Sequence, residues 1–311
     1  MQAAARARLR HTLSREWRVT WRYAYNLPAV RTFRRDQVEL TEGAARMARD
    51  LQADGVAVGS VRDLLPVGDD LFERAGREAC QLLHGHGDLL DRRSRSSNVA
   101  TALPAKPTSA TKSFVVELLG RHPHFDPESP IVQLALHEQL RGLIHQYVRM
   151  HLRLYDLNVW LNLPSGEEPQ LSQRWHRDEP DDRHILKAFV YLRDVPQGAG
   201  PLSYVRGSHR AAGRRAQLPS TWDGYGFRVS EEDIEAHFGA DSVVTVPGEA
   251  GTVVVTDTRG YHRGGWAVDD ERLVMMALYA SRTSRKRRLI VPAAGVDTHE
   301  WSHEVAFADP V

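Results

Sequence analysis

The chain has 311 residues and a mass of 35.1 kDa, with 41% hydrophobic and 26% charged residues. This excludes collagen-like, coiled-coil and wholly disordered classes and suits one large domain with additions. Its 41 basic and 40 acidic side chains leave a net charge of +1, so bulk charge selects no partner, and the single cysteine, Cys80, excludes a disulfide framework and any cysteine-rich zinc or iron–sulfur site.

No apolar run approaches a membrane span and no signal peptide is visible, so a cytoplasmic protein without a membrane partner is expected. Residues 1–35 hold nine arginines and one acid, Glu16, with Trp17, Trp21, Tyr23 and Tyr25 between them. A basic stretch with interleaved aromatics can bind nucleic acid, but no recognised nucleic-acid module accompanies it. The preferred reading is a helix that packs its aromatics on the body and solvates its arginines. Leu40, Ala44, Met47 and Leu51 recur at helical spacing and stop at Asp54-Gly55. A short strand, Val56-Ala57-Val58, follows, then a helix over 70–85 and a loop over 92–113. Ser129-Pro130 starts another helix, whose apolar face runs through Val132, Leu136, Leu140, Leu143 and Tyr147.

From residue 154 the period becomes that of strands: Leu157–Leu163, Ile185–Leu192, Leu202–Val205, Ser242–Val246, Thr252–Thr256 and Leu273–Ala280. Many short strands after a helical first half predict a mainly β fold with flanking helices, a jelly-roll sandwich or barrel.

Within that half lies a candidate metal constellation. Non-haem Fe(II) oxygenases hold the metal by two imidazoles and one carboxylate on one face, and a strand presents residues i and i+2 on the same side. Three His-X-Asp triplets occur, starting at His86, His124 and His176, where chance would give about one. Only His176-Arg177-Asp178 sits among the strands; the other two read as surface loops. His262, one turn after Thr252–Thr256, is the candidate partner. Arg272, at the start of the last strand, is a candidate cation for a dicarboxylate co-substrate.

These residues resemble the phytanoyl-CoA dioxygenase family of Fe(II)/2-oxoglutarate oxygenases. The matching stretches are Trp175–Asp178, Ala188–Leu192, Gly200–His209 and Gly251–Asp257, followed by His262 and Arg272, with residues 46–66 like the family's opening helix and strand. The similarity spans roughly residues 37–285. It implies a double-stranded β-helix (cupin-like) core in an oxygenase domain over 37–285, flanked by a basic extension, 1–36, and a C-terminal tail, 286–311. It further implies that His176, Asp178 and His262 hold Fe(II), that Arg272 pairs with the distal carboxylate of 2-oxoglutarate, that Phe189 and Asn158 line the co-substrate pocket, and that O2 is the oxidant. Lys187 shares a strand face with Phe189, and a buried lysine needs an anion, so it is a further candidate for 2-oxoglutarate or an acidic substrate group. The family's usual Ser or Thr two residues after the distal histidine is Gly264 here, which leaves one co-substrate hydrogen bond to another donor. An intact Asp178 argues against a halogenase.

The expected function is therefore hydroxylation, or another oxidation, of an unactivated C–H bond in a small molecule of specialised metabolism. Arg177 and Arg259 are candidate contacts to an anionic or carrier-bound substrate, with loop 92–113 and the stretch 211–240 as candidate lids. A cupin-like metal enzyme that does not use 2-oxoglutarate, and a non-catalytic module acting through the basic N-terminus, remain open.

Overall fold

A computed structural model describes residues 18–87, 114–164, 168–178, 181–210, 218–224 and 226–309. The loop 92–113, residues 211–217 and residues 1–17 lie outside the described residues, as does Asp88.

After a π-helical turn, Trp21–Tyr25, come α1 (Leu27–Arg35) and α2 (Glu42–Asp54). The Thr41 hydroxyl accepts from Ala44 N and caps α2. Gly55 ends it in the left-handed region (φ 79), and a Cβ there would meet His209 Nδ1 at 2.3 Å. Glycine is needed at that point for both conformation and space. Strand β1 (Val56–Ser60), the short α3 (Val61–Leu64) and α4 (Leu71–Gly85) follow, then β2 (Val115–Glu117) and β3 (His124–Phe125). Ser129 caps α5 (Pro130–Ala135) as expected, but the helix does not continue. The chain breaks at Leu136–His137, where the His137 ring accepts from Gln139 N and starts α6 (Glu138–Val148).

The β-rich half contains β4 (Arg153–Asn162), β5 (Ile185–Tyr191), β6 (Leu202–Val205), β7 (Thr221–Trp222), β8 (Phe227–Arg228), α7 (Glu231–Phe238), β9 (Val243–Val246), β10 (Thr252–Asp257), β11 (His262–Arg263), β12 (Arg272–Ala280), β13 (Val291–Pro292) and α8 (Thr298–Trp301). A six-stranded antiparallel sheet runs β1-β10-β5-β12-β4-β2 and faces a three-stranded sheet, β11-β6-β9. Strand alternation divides the core in two. Leu186, Ala188, Val190, Leu273, Met275 and Ala277 point outward onto the helices, against Met47, Leu51, Leu140 and Leu143. Phe189, Tyr191, Val254, Val274 and Met276 point inward, against Leu202, Tyr204 and Val246 of the smaller sheet. Each fully buried Val, Leu, Phe or Met side chain among them contributes about 1.5–3 kcal/mol. This is the jelly-roll core with helices packed outside it.

Both ends of the described chain are built into this body. Trp21 is buried, and its Nε1–H donates to Asp182 Oδ1 (3.0 Å) while its ring packs on His184. Near the other end, Val305 bridges to Leu154 and Phe307 to Ile290, and Trp301 and Phe307 pack on Phe125. Among the described residues, no helix is long and apolar enough to cross a membrane.

Candidate metal centre and co-substrate cleft

His176 and His262 face each other across an antiparallel bridge: His262 N donates to His176 O (2.9 Å) and His176 N to His262 O (3.1 Å). Residues paired in this way share a face, and the imidazole centroids lie 4.4 Å apart. Asp178, two residues beyond His176, returns to the same face, anchored by its N–H on Thr258 O (3.1 Å). Donor atoms of His176, Asp178 and His262 all lie within 4.8 Å of one another.

Backbone carbonyls set the tautomers. His176 Nδ1 lies 2.9 Å from Arg174 O and His262 Nδ1 lies 3.0 Å from Gly260 O. A carbonyl only accepts, so both Nδ1 atoms carry the proton and both Nε2 atoms keep a lone pair. These Nε2 atoms lie 3.9 and 3.8 Å from Asp178 Oδ1. Burial, followed by the neighbouring His262, pushes the His176 imidazole well below its usual range, so it is neutral at pH 7. Burial alone would raise the Asp178 carboxyl, but the Lys187 ammonium beside it holds it well below the carboxylate range. Lys187 Nζ lies 2.7 Å from Oδ2, the oxygen not shared with the histidines. Two imidazole lone pairs and one carboxylate oxygen converging in a buried site match the donor set of non-haem iron.

The cleft beside the triad has a volume of about 90 Å³. Arg272 forms one wall, 6% exposed, with Nη1 donating to Gly200 O and with Nε lacking any partner. No carboxylate of the described residues pairs with it; burial lowers its proton affinity, and Tyr191 partly offsets this. Gly264 lies against it, since a Cβ there would sit 3.4 Å from Arg272 Nη2. Opposite Arg272 in the β4–β12 register is Asn162, whose buried Nδ2 has no partner. Two orphaned buried donors and an uncompensated cation describe a cradle for a carboxylate. Phe189 and Trp160 (ring centroids 6.3 Å apart) form an apolar wall.

The cleft thus unites His176, Asp178, His262, Arg272, Lys187 and Phe189. Three other expected residues lie elsewhere. Asn158 spends its amide on Leu119 N and Gly120 O (3.2 and 2.7 Å) and does not line the cleft. Arg177 alternates to the opposite side of its strand, over the Tyr261 ring at 4.0 Å and bonded to Ser208 O. Arg259 is held by the buried Asp257 carboxylate, Nη2 to Oδ2 2.6 Å and Nε to Oδ1 3.0 Å. The residues missed in the sequence are Asn162 and Trp160, which share the inward face of β4; the available signal was the two-residue alternation that puts them on the same face as Asn158.

A model of the phytanoyl-CoA dioxygenase (PhyH) family matches residues 73–267, a span that includes all three triad residues. Among solved structures, the fold is similar to that of the epimerase SnoN in complex with Fe3+, alpha ketoglutarate and nogalamycin RO, at 21% identity over 86% of this chain and 95% of that one, with a TM-score of 0.51. It is also similar to EctD from S. alaskensis with 2-oxoglutarate and 5-hydroxyectoine, at 20% identity over 88% of this chain and 90% of that one, with a TM-score of 0.50. None of the curated protein sequences compared matches it. A family match over more than half the chain, on a jelly roll with a buried His-Asp-His cluster, shows that the chain belongs to the phytanoyl-CoA dioxygenase family.

Proposed function

We propose that the chain is an Fe(II)- and 2-oxoglutarate-dependent dioxygenase that hydroxylates, or otherwise oxidises, an unactivated C–H bond of a small molecule in specialised metabolism. The observation that carries this reading is the pairing, in one cleft, of the His176/Asp178/His262 cluster with Arg272, a buried cation that no described carboxylate neutralises. Iron bound with 2-oxoglutarate and O2 would supply the oxidising power. The protein's part is orientation. The two Nε2 lone pairs and Asp178 Oδ1 would hold the metal, while Lys187 pins Oδ2 so that Asp178 offers one oxygen. Arg272, with Asn162 across from it, would take the far carboxylate of the co-substrate, and the amide would stand in for the hydroxyl absent at Gly264. Phe189 and Trp160 keep that wall dry, which strengthens each electrostatic contact. No general base is required.

The two solved structures with similar folds contain, by their descriptions, iron or 2-oxoglutarate, which supports this cofactor assignment. The test is succinate formation from 2-oxoglutarate by the purified protein with Fe(II) and O2. Activity lost in both Asp178→Ala and Arg272→Ala supports the reading. Iron-dependent chemistry that survives Arg272→Ala would identify a metal enzyme that does not use 2-oxoglutarate.

A further inference from the structure

We propose that the protein has a second ligand site, separate from the oxidation cleft, that binds a phosphate-bearing small molecule of nucleotide type. The site is the groove between the π-helical turn with α1, helix α2 and the C-terminal end of α6, with a volume of about 880 Å³. That falls within the range of small-molecule sites. The groove shares no lining residue with the cleft.

Its charge is one-sided. Arg22, Arg34, Arg49 and Arg149 line it, and no Asp or Glu among the described residues does. Some arginines elsewhere on the surface are matched by acids, as in Arg46–Asp63, Arg74–Asp70, Arg193–Glu271 and Arg263–Glu231, while others, such as Arg285 and Arg287, stand in solvent without an ion pair to any described residue; what marks the groove is the convergence of four on one concave surface. In the groove, Arg22 donates to the carbonyls of Val148 and Arg149, while the guanidinium groups of Arg34, Arg49 and Arg149 have no ion pair or hydrogen bond to any described residue. Arg149 also holds the left-handed C-cap of α6 (φ 54), a position where glycine or asparagine would cost less. Converging planar guanidinium groups recognise phosphate oxygens in bidentate fashion. The rings of Tyr23, Phe33 and Tyr147 on the same walls offer flat apolar faces for a base. In sequence, residues 1–17 add Arg6, Arg8, Arg10 and Arg15 against Glu16. An external anion neutralises the groove.

The test is calorimetric titration of the full-length protein with ADP, tripolyphosphate and adenosine at low and physiological salt. It is repeated on an Arg34→Glu/Arg49→Glu double variant and on an Arg285→Glu/Arg287→Glu control with the same charge change elsewhere. All four are exposed, and circular dichroism checks each fold. Saturable ADP binding that weakens by about tenfold or more in the groove variant, and by less than about threefold in the control, supports the site. ADP tighter than tripolyphosphate names a nucleotide, and equal affinity names the phosphate chain alone. Failure of both anions to saturate, equal weakening in the control, or a single-stranded oligonucleotide binding far more tightly than ADP through the same arginines would overturn it. None of these readouts involves iron.

Discussion

Replacing Arg272 by methionine separates what the cleft costs from what it does. The wild-type guanidinium is buried with no anion and with Nε unbonded. An ion taken out of water without a partner costs several kcal/mol even after relaxation. Methionine fills much of the same volume without that cost, but it strands the Gly200 carbonyl that Nη1 now serves, a loss of about 1–3 kcal/mol. The balance is a gain of about 1–2 kcal/mol for the ligand-free variant, a rise in Tm of roughly 2–4 °C for a chain of this size. Binding moves the opposite way. Truncating one partner of a buried charge pair costs about 2–5 kcal/mol, or roughly 30-fold to several thousand-fold in 2-oxoglutarate affinity. At a co-substrate concentration of 100 Kd the wild type gains about 2.7 kcal/mol, while the variant at the same concentration gains about 0.9 kcal/mol for a 30-fold loss of affinity and almost nothing for a several-thousand-fold loss. The assay is anaerobic thermal unfolding of both proteins with Fe(II), with and without 2-oxoglutarate. A variant that melts lower than wild type and shifts with 2-oxoglutarate as far as wild type does would refute the assignment of Arg272 as the carboxylate anchor.

Three further outcomes follow from the same geometry. Lys187→Met leaves the buried Asp178 Oδ2 without its ammonium and should destabilise the metal-free protein by about 1–3 kcal/mol, less than a fully enclosed pair because both groups keep some exposure; denaturant titration should show the deficit shrinking when Fe(II) supplies a replacement cation. Trp21→Phe keeps a ring against His184 but removes the bond to Asp182, costing about 1–2 kcal/mol, whereas Trp21→Ala costs about 3–5 kcal/mol, as equilibrium unfolding would measure. His184 is held to about 4 from 6.5, mainly by burial and the nearby Arg259. The unfolded chain therefore takes up the proton first, and stability falls as pH drops from about 6.5 towards 4. His184 should account for about 2 kcal/mol of the loss between pH 7 and pH 5, read as the amount by which His184→Gln flattens the pH dependence of denaturant midpoints, since His145, His151 and His176, each held down by burial, add losses of their own.

Much of the site was legible because metal ligation and strand alternation leave local marks. His176 and Asp178 are two apart on an extended segment, and Lys187, Phe189 and Tyr191 follow the same rule along β5. What was not legible depends on register between distant strands. Asn158 and Asn162 both face inward on β4, but only pairing with β12 sets Asn162 opposite Arg272, while Asn158 is drawn off by Leu119 and Gly120. Lys187 points inward by alternation, yet its partner Asp178 comes from the loop ahead of the strand. Arg259 looked like a rim cation because the burial of Asp257, two residues before it, is a tertiary fact. The break at Leu136–His137 was hidden because one apolar face continues across both helices, and only the His137 cap reveals the second start. Strand β2 was missed because three residues carry too little periodicity to register.

The most direct test of the central claim is anaerobic absorbance of the purified protein titrated with Fe(II) and then 2-oxoglutarate, beside Asp178→Ala. A visible charge-transfer band that requires both additions and is missing in the variant is the predicted result. An intact, folded protein that shows no band with both present would contradict the oxygenase reading of this cleft.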